Sequence, residues 1–69
     1  MKVGTMVIRK DKDLKEEGDR LSKETIAVLK ACDFKGEITQ IQDGLYYVAF
    51  KALDAWVTQV FKEDEIEVA

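Results

Sequence analysis

The chain has no histidine, no proline, a single cysteine and only four glycines among its 69 residues, and each shortage removes a class of explanation. Without histidine there is no side chain whose ordinary titration falls near neutrality, and no Ser/His or Cys/His pair for nucleophilic catalysis. Cys32 is alone, so it forms no intramolecular disulfide, and no histidine is at hand to complete a mixed Cys/His metal site. Small domains lean on such staples, because a core of this size supplies only about 3–5 kcal/mol of net stability. The missing proline leaves the turns to Gly and Asp. No apolar run approaches the length that spans a bilayer, and Met1-Lys2-Val3-Gly4-Thr5 lacks the apolar centre of a signal peptide. The chain reads as one cytoplasmic domain over residues 1–69, with no membrane segment.

Lys and Arg number 11 against 14 Asp and Glu, so the net charge gives no global attraction to nucleic acid or anionic lipid, although a local basic face remains compatible with it. A hydrophobic share of 46% beside 36% charge places the chain among globular rather than disordered sequences. The acidic groups Glu16-Glu17 and Glu63-Asp64-Glu65 read as solvated loop residues, since acid–base work needs a carboxylate shifted by burial. Asp11, Asp13, Glu17 and Gly18 do not match the spacing of a calcium loop. No catalytic residue, metal site or cofactor is expected.

What is present is a succession of short strands. Val3 to Arg9 is β-branched and apolar, with Gly4 as a bend, and is followed by a mixed-sign run over 10–18 that reads as a solvated loop. From Asp19 to Cys32 the residues Leu21, Thr25, Val28, Leu29 and Cys32 share one helical face, with Asp19 or Ser22 as N-cap, Glu24 in the first turn and Lys30 near the last. Thr25 to Leu29 is also β-branched enough for an extra strand; the spacing favours helix, and Cys32 falls on its packing face.

Phe34 to Val68 then carries the sheet. Lys35-Gly36-Glu37-Ile38 opens it, with Gly36 where the strand bends and Ile38 and Ile41 as inward anchors, whose separation by three positions implies a bulge. Asp43-Gly44 is a hairpin turn, and Tyr46, Val48 and Phe50 form the core face of the next strand. Ala52-Leu53-Asp54 is the next connection, and Ala55 to Phe61 returns beside it. With a three-residue loop, Trp56 lies opposite Phe50 and Gln59 opposite Tyr47; one residue more exchanges the two faces. After the turn at Lys62-Glu63-Asp64-Glu65, Ile66 and Val68 close the structure with Glu67 facing out.

This order of signals, from the Val-Gly strand through Lys35-Gly36-Glu37-Ile38, Tyr46-Tyr47-Val48-Ala49-Phe50, the Trp56 strand and the acidic turn to Ile66-Glu67-Val68, resembles the SH3-like small β-barrels, KOW and Tudor-type modules among them. The resemblance implies a mainly β fold: a five-stranded antiparallel barrel with one short helix inserted after the first strand, the charged loop and helix at 10–32 being the insertion. Lys35-Gly36-Glu37-Ile38 is similar to the Gly-centred start of a KOW motif, a family that binds ribosomal RNA or transcription machinery, but no Arg- or Lys-rich loop lies beside it. Gln59-Val60-Phe61 with Ile66-Glu67 is similar to the pore segment of type II dihydrofolate reductases, tetrameric barrels of the same class. Phe61 lacks the hydroxyl of that pattern, and Arg9 or Lys10 would have to stand in for its pore lysine.

A barrel this small cannot bury Tyr46, Tyr47, Trp56 and Phe61 together, and exposed aromatics are favoured anchors for protein partners. The competing reading has Trp56 capping the barrel or packing under the helix. The expectation is a non-enzymatic module that binds a protein partner or itself through Tyr47, Trp56 and Gln59 with Lys51 beside them. The alternatives are a nucleic-acid-binding barrel using Arg9, Lys10, Lys12 and Lys35, and the reductase-like tetramer, which transfers hydride from NADPH to dihydrofolate.

Overall fold

The computed structural model describes residues 1–12 and 22–69. Along the chain these form β1 (Met6–Arg9), α1 (Lys23–Ala31), β2 (Lys35–Gln42), β3 (Leu45–Ala52), β4 (Ala55–Phe61), a single 3₁₀ turn (Glu63–Glu65) and β5 (Ile66–Val68). The strands make one antiparallel sheet in the order β4-β3-β2-β1-β5. Five antiparallel strands and one short helix after the first strand are thus present as expected. No ladder joins β4 to β5, so the sheet is not closed into a barrel. It is nevertheless curled, because Arg9 on β1 reaches across to β4 and donates from Nη1 to Oε1 of Gln59 at 2.9 Å. Most of the expected 10–18 loop, with Asp19 and Leu21, lies outside the described residues.

The helix forms because its ends are provided for. Ser22 is the N-cap, its Oγ accepting from the Thr25 N–H, while Glu24 and Lys30 sit at the dipole ends that suit their charges. At the other end Cys32 and Phe34 donate their N–H groups to the carbonyls of Val28 and Leu29, and the chain leaves through Asp33 and Phe34, both at φ 61°. Val28 and Leu29 are buried, and the helix packs on the face of the sheet formed by β3 and β4. The extra-strand alternative at Thr25 to Leu29 gives way to this capped, one-faced helix.

Beneath it lies the core, Val7, Val28, Leu29, Ile38, Val48, Phe50, Phe61 and Ile66, with Phe50 and Phe61 edge to face at 6.1 Å and Cys32, Phe34 and Tyr46 packed around them. Two expected core positions are corrected. The bulge is present between Ile38 and Gln40 and sets Ile41 opposite Tyr46, yet Ile41 is exposed, because residues 39–44 all project beyond the buried cluster as the hairpin tip. Val68 pairs with buried Val7 but lies at the end of β5 and is 62% exposed.

Both hairpins turn in two residues. Asp43 and Gly44 have φ of 53° and 77°, and Leu53 and Asp54 have 56° and 59°, the positive values that a two-residue type I′ turn requires. The second connection is therefore two residues rather than three, and this moves the register of β4 by one. Lys51 pairs with Trp56, Ala49 with Thr58, Val48 with Gln59 and Tyr47 with Val60. The pairing of Gln59 with Tyr47 does not occur. Leu53 pays for its left-handed conformation, since that region costs an L-residue with a side chain about 1–2 kcal/mol. Replacing Leu53 by Asn and Asp54 by Gly is expected to raise the melting temperature by roughly 4–8 °C for each kcal/mol recovered; an unchanged or lower midpoint in a thermal scan would contradict the turn assignment.

Candidate interaction surface

The sheet has two unlike faces. The inner face carries Val7, Ile38, Val48 and Phe50 against α1, and Gln59 belongs to this side through its pairing with Val48. The outer face presents Met6, Glu37, Ala49 and Thr58 in one row across four strands, by the successive pairs Met6 with Glu37, Glu37 with Ala49 and Ala49 with Thr58. On one side of that row stand Lys51 and Trp56, on the other Tyr47 and Val60. Met6, Glu37, Thr39, Ala49, Lys51 and Trp56 line a shallow groove of about 280 Å³.

Trp56 dominates the surface. It is 72% exposed, the most exposed large hydrophobic residue among the described residues, and neither of the burial readings for it, as a cap or under the helix, holds. Lys51 lies across the strand with Nζ 5.4 Å from the indole centroid, a cation–π contact that orients the ring without covering it. Val60 is 47% and Met6 44% exposed, and Tyr47 is half-buried between Val60 of β4 and Gln40 of β2. Met6, Ala49 and Val60 escaped the sequence reading; the alternation of β4 finds Val60 once the connection is counted as two residues.

Three of the four expected interaction residues, Tyr47, Lys51 and Trp56, are brought together on this face. Gln59 is the exception and is corrected: it is half-buried on the inner side, where it accepts the Arg9 hydrogen bond.

The basic residues are differently disposed. Arg9 has a side chain only 13% exposed and is committed to Gln59, to the ring of Phe61 at 5.8 Å and to Asp11 at 4.0 Å. Lys35 pairs beside Ile8 on the opposite, outer face. Lys10 lines a cleft with Asp11, Asp64 and Glu65, and Lys12 sits 5.9 Å above the Phe34 ring. Arg9, Lys10, Lys12 and Lys35 thus do not share one face. The reductase-like reading places Gln59 on a pore; here its side chain is half-buried on the inner side, with Arg9 of β1 donating to it. Among the described residues no three of His, Cys, Asp and Glu converge as metal ligands, and no helix is long and apolar enough to cross a membrane.

The class defined by these features is a small five-stranded antiparallel sheet with one face covered by a helix and the other bearing an exposed tryptophan. Comparison with protein-family models, curated proteins and solved structures finds no match for the chain, so the functional reading rests on the geometry.

Proposed function

We propose that this protein is a non-enzymatic interaction module of the SH3-like barrel type that takes a protein partner on the outer face of its sheet. The observation that carries the proposal is Trp56, 72% exposed, held by Lys51 and backed by the groove of Met6, Glu37 and Ala49. Burying an indole of this exposure removes a large apolar area from water at little rotamer cost, which is why Trp concentrates at interface hot spots. Lys35 and Lys51 flank the groove and suit an apolar partner side chain with a carboxylate beside it. The barrel assignment is supported by the strand order, the bulged β2, the 3₁₀ turn before β5 and the tie between β1 and β4. The unpaired Cys32 suits a reducing, cytoplasmic setting.

The test is affinity capture with the wild-type chain and a Trp56→Ala/Tyr47→Ala variant, after circular dichroism shows that both are folded. Truncating a hot-spot tryptophan costs 2 kcal/mol or more, roughly thirtyfold in affinity, so proteins retained by the wild type are expected to be lost from the variant. Equal retention by both would refute the proposal. Trp56 is the chain's one tryptophan, and its fluorescence is expected to shift to the blue when a captured partner is added back.

A further inference from the structure

Among the described residues every strand but one carries a charged residue: Arg9 in β1, Lys35 and Glu37 in β2, Lys51 in β3 and Glu67 in β5. The exception is β4, Ala55-Trp56-Val57-Thr58-Gln59-Val60-Phe61, and β4 is an edge of the sheet. Edge strands are ordinarily protected by charge, shortness, proline or a bulge, since a bare edge is a template for another strand. The opposite edge, β5, follows that rule with three residues and a central Glu67. β4 has seven residues in unbroken register with β3, and no charge, proline or bulge lies within it.

We infer that β4 is a homotypic pairing edge, on which a second copy of this chain docks antiparallel about a two-fold axis at Thr58 to give a continuous ten-stranded sheet. The backbone supplies the first argument. A two-residue turn closes on a hydrogen-bonded pair, here Ala52 and Ala55, and the alternation of an antiparallel ladder then directs the N–H and C=O groups of Trp56, Thr58 and Val60 away from β3. Among the described residues no strand pairs on that side. With the axis at Thr58, these three residues meet their own kind: Thr58 faces Thr58 of the second copy, and Trp56 faces its Val60. Each outward donor finds an outward acceptor.

The side chains supply the second argument. In this register Trp56 lies across from a β-branched residue on the outer face, a favourable cross-strand pair, and small Ala55 lies across from large Phe61 on the inner face. No charge is buried, and none opposes its like. The outer faces of the two copies become one surface with both tryptophans near its centre, so the inference deepens the proposed function in what it says of that face, while the pairing itself stands on the edge. Two seven-residue edges make a contact at the small end of specific interfaces, so the dimer is reversible and its population follows concentration.

The experiment uses the full chain at low ionic strength, with Thr58→Lys and Thr58→Glu variants checked for fold by circular dichroism. Thr58 is exposed and pairs with Ala49 on the outer face, so both substitutions leave the core untouched. Sedimentation velocity from roughly 10 μM to 1 mM, the range in which weak complexes dissociate, is expected to show a concentration-dependent dimer for the wild type. Like charges on the axis are expected to weaken each variant's self-association about fivefold or more, and an equimolar mixture of the two to recover it. Amide exchange is expected to slow with concentration at Trp56, Thr58 and Val60 and not at Val57 or Gln59. A wild type that stays monomeric, or variants that associate like the wild type, would overturn the inference. A dimer lacking the alternating protection would overturn the edge register and point to contact through the outer face; loss of captured partners from Trp56→Ala/Tyr47→Ala would be unaffected by either result.

Discussion

Phe50→Ala is expected to leave the chain without a cooperative unfolding transition at 25 °C. Phe50 is fully buried, stacks edge to face on Phe61 and sits among Ile38, Val48 and Leu29 in the one buried cluster of the described residues. Removing a buried Phe side chain costs about 3–5 kcal/mol from lost transfer energy and the cavity left behind. A core this small supplies about the same amount in total. Two further features make collapse around the cavity difficult: Val48 and Ile38 are fixed by their ladder pairing, and Leu29 is fixed by the capped helix. A broad, sloping thermal melt with reduced near-ultraviolet dichroism is the expected signature, and a sharp transition within a few degrees of the wild type would contradict this account of the core.

Gly36→Ala is expected to destabilise as well, by a smaller amount and through the opposite defect. A glycine replaced by alanine at an ordinary backbone conformation usually gains about 0.4–1 kcal/mol, because the unfolded chain loses freedom. Gly36 does not have a positive φ, so conformation alone predicts a gain. Space reverses the sign: an added Cβ would stand 2.6 Å from the Ala49 carbonyl oxygen, 2.7 Å from Val48 Cγ1 and 3.0 Å from Phe50 Cδ1. The nearest of these is backbone in the centre of β3, which cannot retreat without parting from β2. Overpacking of this kind costs about 1–3 kcal/mol, and here it also disturbs the strand that carries Ala49 on the outer face. Denaturant unfolding is expected to show a lower midpoint than the wild type; a raised midpoint would show that β2 and β3 approach less closely than described.

The sequence places Gly36 in this strand but assigns it to a bend, and the difference is instructive. A glycine signals that something is close or that φ is unusual, and only the facing strand says which. The same limit governs the second hairpin. Asp43-Gly44 has the chemistry of its turn and makes its hairpin legible; Leu53-Asp54 offers only Asp54, since a leucine signals no positive φ, and the sequence reads the connection one residue too long. Because strand side chains alternate, that single residue moved Gln59 from the outer face to the inner and put Val60 where Gln59 had been. Trp56, Tyr47 and Lys51 were recoverable from composition, as aromatics too many for the core with a cation nearby. The helix was legible from its cap and spacing. Ile41 was not, since nothing in its own neighbourhood reports how far the hairpin extends past the cluster.

The place of β1 between β2 and β5 bears on how the chain reaches this state. The β2-β3-β4 meander is closed by two turns of two residues each, so its pairings are local and demand little loop entropy. The ladder of β1 with β5 joins Val7 to Val68, from opposite ends of the sequence, and the Arg9–Gln59 hydrogen bond spans almost as far. Non-local pairings of this kind are slow to form, because the chain must close a long loop before any contact rewards it. In loop entropy the β2-β3-β4 meander is thus the least costly part of the sheet to close and the β1-β5 ladder the most costly, so the two edges of the sheet, β4 and β5, differ in how locally they are held.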